Sequence, residues 1–228
     1  MEKALNIVKT IATQSNSVIL FHSASGKDSI ALLDLLYPYF ERIICVYMYV
    51  VPNLDHINRY ISFAQKKYPK AKFIQVPHYA LFSYYQTGYM GCKKRGDIRK
   101  YNLSELTEII RQRFAIEWVC FGFKMADGMN RRIMLRTYEQ NAINRDTCKF
   151  YPLSEYKNDD ILQYIEAHNL IRPEKYGDTR SMGTNISDVG YLTYLRNNYP
   201  QDLKKIIAEF PMVERTLYEY DYKATKAE

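Results

Sequence analysis

The stretch SVILFHSASGKDSIALLDLLYPYF, Ser17–Phe40, decides how this chain is read. Its first five residues, Ser17–Phe21, are a nearly continuous apolar run, the pattern of a short strand buried on both faces. From Lys27 onward Ile30, Leu33 and Leu36 recur at helical spacing, and Pro38 stops the helix by removing an amide donor. Between them lies a turn of small polar residues. A turn of this kind entering a helix presents backbone N–H groups and the positive helix end to an anion. Gly26 lets the backbone come close, Ser23, Ser25 and Ser29 offer hydroxyl donors, and Lys27 adds charge. Asp28 is the odd member, since a carboxylate repels phosphate; it suits a Mg²⁺ ion or the start of the helix. A Walker A loop is disfavoured, because Phe21 stands five before Gly26 and Asp28 follows Lys27. A plain helix-capping turn is the simpler alternative.

The same alternation continues outward. Arg42–Val50 reads as a second strand and Lys72–Val76 as a third, closed by Pro77. Between them Ile57, Tyr60, Ile61 and Ala64 share one helical face. Leu103, Leu106, Ile110 and Phe114 form another helical stripe, with Asn102 or Ser104 available as its cap. Ile116–Phe123 is a fourth strand, Cys148–Leu153 a short fifth, and a further helix follows with Asn158 as its expected cap. The expected fold is α/β, an open doubly wound parallel sheet of about five strands with a helical C-terminal extension. The expected division is residues 1–170 as the nucleotide-binding domain and 171–228 as an extension packed on it. Ligands of such sheets bind at strand carboxyl ends, near the point where strand order reverses. The turns after the first, second and fourth strands are therefore expected to share one cleft.

Bulk composition adds limits. No apolar run approaches the roughly 18 residues of a membrane span, and the polar N-terminus reads as an amphipathic helix, so a cytoplasmic protein is expected. The net charge of +7 suits a phosphate-rich partner, although a lysine-rich genome explains it equally well. The four cysteines, Cys45, Cys92, Cys120 and Cys148, form no C-x-x-C pair. Cys45 and Cys120 sit in strand-like runs and read as core residues, and the wide spacing disfavours an iron–sulfur cluster.

Four segments carry a family resemblance. ASGKDS, Ala24–Ser29, is similar to the S-G-G-x-D-S pyrophosphate-binding loop of the PP-loop (adenine nucleotide alpha-hydrolase-like) superfamily. Gly26, Lys27, Asp28 and Ser29 match, Ser25 replaces the first glycine and Ala24 the first serine. GFKMADGMNR, Gly122–Arg131, resembles the G-x-R-x-x-E-S-x-x-R pattern of the phosphoadenosine phosphosulfate (PAPS) reductase branch. Gly122 and Arg131 match, while Lys124, Asp127 and Gly128 replace Arg, Glu and Ser, which keeps the charge but loses the guanidinium fork. Arg131, Arg132 and Arg136 then make a basic cluster fit for phosphate or sulfate, or simply a solvated basic loop. Tyr151–Tyr176 resembles the family's PL-x-x-W-x-x-x-D helix, with Tyr156 for Trp and Asp160 matched. Gly91–Arg95, GCKKR, is similar to a cysteine–lysine patch of the family, but an exposed basic loop reads as well.

The resemblance implies binding of an adenine nucleotide, ATP or PAPS. Reduction of PAPS needs a cysteine on the C-terminal tail, and none follows Cys148, so a true reductase is disfavoured. The leading expectation is an ATP-dependent adenylating, pyrophosphate-releasing enzyme of the sulfurtransferase kind. Ser23, Ser25, Gly26, Lys27, Asp28 and Ser29 would hold the β,γ-phosphates, and Mg²⁺ on Asp28 would neutralise pyrophosphate. Lys27, Asp28, Lys124 and Arg131 would carry the catalytic roles. Gly122, Asp127, Arg132 and Arg136 would complete the binding site, with adenine near Tyr49. Relatives of the sulfur-transferring and DndC-like branches imply a nucleic acid or a sulfur-donor protein as partner. A non-catalytic nucleotide-binding module, and a plain nucleic-acid binder using Lys93, Lys94, Arg95, Arg131 and Arg132, stand as alternatives. The turn-rich stretch Gly177–Asn185 offers Arg180 as one more anion contact.

Overall fold

The structure is a computed structural model and describes residues 1–176 and 184–227. Arg180 lies outside the described residues. The apolar runs form a single sheet of six strands in the order β3-β2-β1-β4-β6-β5. These are β1 (Ser17–Phe21), β2 (Arg42–Tyr49), β3 (Ala71–Pro77), β4 (Val119–Cys120), β5 (Ile143–Asn144) and β6 (Lys149–Phe150). β1 runs parallel to both β2 and β4, with Leu20 opposite Cys45 on one side and Cys120 on the other. β4 is parallel to β6, and β5 closes the edge antiparallel to β6. The sheet thus has one strand beyond the expected five. Ile143–Asn144 is too short to show a period in sequence.

Helices α1 (Glu2–Ala12), α2 (Lys27–Leu36), α3 (Asp55–Lys67), α4 (Tyr79–Thr87) and α5 (Leu103–Phe114) alternate with the first four strands. α6 (Met129–Arg136) and α7 (Asn158–Ala167) follow, then α8 (Val189–Asn198), α9 (Pro200–Glu209) and α10 (Met212–Ala227). None of the described helices is long and apolar enough to cross a membrane. Asn102 caps α5 as expected: its Oδ1 accepts from the Glu105 amide at 2.9 Å, and Glu105 Oε2 accepts from the Asn102 amide at 2.9 Å. The expected cap at Asn158 is corrected. Asn158 is the first residue inside α7, and Asp160 reaches back to accept from the Lys157 amide at 2.7 Å.

The chain forms two compact units. The first comprises Met1–Met48, Tyr60–Val76 and Thr107–Glu174. Its core is set by β1, where Val18, Ile19 and Leu20 have no exposed surface, and by Ile7, Val8 and Ile11 of α1. Each such side chain contributes roughly 1.5–3 kcal/mol through burial. The second comprises Tyr49–Arg59, Pro77–Leu106 and Lys175–Glu228. There α8 packs on α9, α10 packs on both, and Leu195, Ile206, Phe210 and Val213 are fully buried. The units interleave along the sequence, because segments following β2 and β3 belong to the second.

Candidate functional site

Strand order places β1 between β2 and β4, so the chain after β1 and the chain after β4 leave neighbouring strands at their carboxyl ends. The turn after β1 is built tightly. Gly26 is the residue before α2, and a Cβ there would lie 2.2 Å from Ser23 Oγ. Ser29 Oγ accepts from the Ser23 amide at 2.9 Å and lies 2.9 Å from Ser23 Oγ. The buried Ser25 is tied through its carbonyl, which accepts from the Glu174 amide at 3.2 Å. Ala24 adopts φ +56°, a conformation disfavoured for L-residues by about 1–2 kcal/mol. Its amide donates to His22 Nδ1 at 2.9 Å, which holds the turn in that shape. His22 is fully buried, and burial lowers its imidazole to about 3, so the ring is neutral. The amides of Gly26, Lys27 and Asp28 donate to no acceptor among the described residues. They are the orphan donors of a helix start.

The segment after β4 meets this turn. Gly122 is where they touch: a Cβ there would lie 3.1 Å from Asp28 Cβ and 3.5 Å from Leu32 Cδ1. Two residues on, Lys124 is only 1% exposed. Its Nζ lies 2.8 Å from Asp28 Oδ1 and 3.1 Å from Asp127 Oδ1. Asp28 Oδ2 is 3.1 Å from Lys27 Nζ, and Asp127 Oδ2 is 2.6 Å from Arg131 Nη1. Asp127 also accepts from the Lys124 amide at 2.9 Å. The Arg131 guanidinium stands 4.0 Å from the centre of the Phe123 ring, a cation–π contact. Burial pushes the Asp127 carboxyl up, but the Lys124 amide and ammonium and the Arg131 guanidinium outweigh it and hold the group below the ordinary carboxylate value. Three cations against two carboxylates leave a chain of alternating charge with one positive charge in excess.

Of the residues expected at the site, Ser23, Ser25, Gly26, Lys27, Asp28, Ser29, Gly122, Lys124, Asp127 and Arg131 form this one constellation. Arg132 and Arg136 do not join it. They are exposed on the far side of α6, because a step of one residue turns a helix by about 100°. Tyr49 ends β2, belongs to the second unit, and its carbonyl accepts from the His78 amide at 2.7 Å. In GCKKR, Lys93, Lys94 and Arg95 are exposed while Cys92 is buried and directs its Sγ to the Tyr84 carbonyl at 3.3 Å. His22 and Phe123 were not foreseen. His22 lies inside the turn sequence itself, but nothing in a single histidine announces that it accepts a bond from an amide two residues on.

A divalent cation was expected on Asp28. The carboxylates here, Asp28 and Asp127, are each already matched by two basic side chains. Among the described residues no group of three His, Cys, Asp or Glu side chains is arranged to hold a metal. The donors fit a lysine–carboxylate cluster and do not fit a cation held by the protein. The orphan amides at the start of α2 and the Lys27 side chain lie on one turn, an arrangement whose chemistry suits an anion better than a cation.

Comparison with known proteins bears on the same residues. The family model for the phosphoadenosine phosphosulfate reductase domain matches residues 18–178, which include both segments of the site. No curated protein sequence matches the chain. Among solved structures, the chain is similar to the U34-tRNA thiolase NcsA from Methanococcus maripaludis with its 4Fe–4S cluster, at 16% identity and a TM-score of 0.44 over 95% of this chain and 78% of that one. It is also similar to the NH₃-dependent NAD synthetase from Campylobacter jejuni in complex with nitrate ion, at 12% identity and a TM-score of 0.46 over 98% of this chain and 94% of that one.

Proposed function

We propose that this chain, which belongs to the phosphoadenosine phosphosulfate reductase domain family, binds ATP at the β1–α2 turn and adenylates an acceptor with release of pyrophosphate. The observation that carries the reading is the 2.8 Å approach of Lys124 Nζ to Asp28 Oδ1, which joins the turn to the segment after β4. A nucleophilic atom of the acceptor attacks the α-phosphorus. The bond from that phosphorus to the bridging oxygen breaks, and its electron pair leaves with pyrophosphate. The Gly26, Lys27 and Asp28 amides and the Lys27 ammonium receive the β,γ-phosphates. Lys124 and Arg131 face the charge that grows at the α-phosphate, while Asp28 and Asp127 keep them in place. Preorganised donors of this kind are worth roughly 10²–10³ in rate each.

Reduction of a sulfonyl group would need a thiolate. Burial raises the thiols of Cys45, Cys92, Cys120 and Cys148 above their ordinary value, so none of the four supplies one readily. A second reading, a nucleotide-binding module without turnover, draws on Ala24 and Ser25 in the turn and on the buried, doubly paired Lys124. ATP labelled at the α-phosphate, supplied with Mg²⁺ and candidate acceptors, separates the two. Labelled AMP or adenylated acceptor together with pyrophosphate supports the enzyme. ATP that binds and stays intact supports the module. Absence of binding removes both.

A further inference from the structure

We infer that the outer face of α6 is a docking strip for single-stranded nucleic acid, which it would present as the acceptor of the adenylating site. Helix geometry puts Met129, Arg132, Ile133 and Arg136 within about 100° of arc, since successive residues advance by about 100°. All four are exposed, Met129 by 64% and Ile133 by 60%. The opposite face holds the buried Leu135 and the Arg131 that stands on Phe123 and Asp127. The strip therefore lies on the helix whose inner side closes the phosphate site. Neither Arg132 nor Arg136 has a carboxylate partner among the described residues. The nearest acidic residues along the chain are already paired: Asp127 with Lys124 and Arg131, and Glu139 with Arg145 at 2.5 Å and 2.9 Å.

Exposed apolar side chains and unpaired guanidiniums interleaved on one strip need an occupant that is apolar and anionic at the same spacing. A second copy of the chain in a two-fold arrangement would set the same arginines against each other. An eight-residue helix is short for burial in a membrane surface. A single strand of nucleic acid supplies both needs. Its phosphates pair with guanidinium forks, and its unstacked bases lie on apolar side chains. A duplex hides those base faces.

The inference rests on the proposed adenylation only in calling the strand an acceptor; docking itself is measured without turnover. The probe is a labelled single-stranded RNA of mixed sequence, with the DNA equivalent and a duplex alongside, titrated at several salt concentrations. ATP binding of the wild type is measured in parallel, so that loss of the nucleotide reading and loss of this one are told apart. The four side chains are exposed, and circular dichroism checks that the variants fold. Single strands are expected to bind more tightly than duplex. The double variant Arg132→Ala, Arg136→Ala is expected to bind about tenfold or more weakly, with a slope of log K against log salt flatter by about 1.4, two contacts at about 0.7 each. Met129→Ser with Ile133→Ser is expected to weaken binding several-fold at unchanged slope. Wild-type protein that binds no single strand, prefers duplex, or binds equally without the two arginines overturns the inference. So does self-association, or binding of an acidic peptide, that is lost in the Met129/Ile133 variant while single strands are ignored.

Discussion

Lys124 is the residue on which the site turns. A buried ammonium between two carboxylates is stable only while all three are present. Lys124→Met leaves Asp28 and Asp127 facing one another with one cation fewer, and is expected to lower unfolding free energy by about 3 kcal/mol in urea denaturation. A loss under about 0.5 kcal/mol, the value of an exposed bridge, would mean that the cluster contributes little. His22 makes a second prediction. Burial lowers its pKa from 6.5 to about 3, so between those values the unfolded chain takes up a proton that the folded chain refuses. The stability His22 contributes is present above pH 6.5 and is lost as pH falls toward about 3. The difference in unfolding free energy between wild type and His22→Gln should therefore change by about 1.4 kcal/mol per pH unit inside that window. A flat difference would place the imidazole in water. Neither role was legible in the sequence. Lys124 was marked through the spacing of a family pattern, which gives charge but not burial, and His22 acts by accepting one hydrogen bond, from the Ala24 amide, a pairing a sequence does not display.

At the scale of elements, the local signals read well and the distant ones did not. Ser17–Phe21 was legible as a strand because its apolar run is continuous, and α2 because Pro38 ends it. Asn102 was legible as a cap because the bond it makes is three residues away. The start of α3 was not, because its partner is far along the chain. Asp202, fully buried in α9, accepts from the Asp55 amide at 2.8 Å and from the His56 amide at 2.9 Å, and lies 2.9 Å from His56 Nδ1. Burial pushes this carboxyl up, but the Asp55 and His56 donors outweigh it and keep it low and ionised. Tyr191 adds its hydroxyl 3.1 Å from His56 Nε2. Asp202→Ala removes an N-terminal cap and strands buried donors, and is expected to lower the unfolding free energy by about 3 kcal/mol. Hydrogen exchange at the Asp55 and His56 amides should rise with it. Unchanged exchange there would assign the start of α3 to other contacts.

For the whole molecule, the strand order does most of the positioning. Because β1 lies between β2 and β4, the chain after β1 and the chain after β4 emerge side by side, and the β1–α2 turn meets the Lys124 segment. That meeting was legible in outline, since alternating strands and helices predict an open parallel sheet and its ligands at the order reversal. The sixth strand and the interleaved units were not, because two-residue strands and contacts between distant segments leave no local period. The central claim is that both segments hold one nucleotide. It is tested most directly by calorimetric titration of ATP into wild-type protein, Lys27→Ala and Arg131→Ala, the two site cations that are partly exposed and so safest to remove. Binding by the wild type is expected, with a dissociation constant raised about tenfold or more in each variant, the worth of one charge-assisted hydrogen bond. A wild type that binds no adenine nucleotide, or an Arg131→Ala protein that binds it as tightly as the wild type, would contradict it.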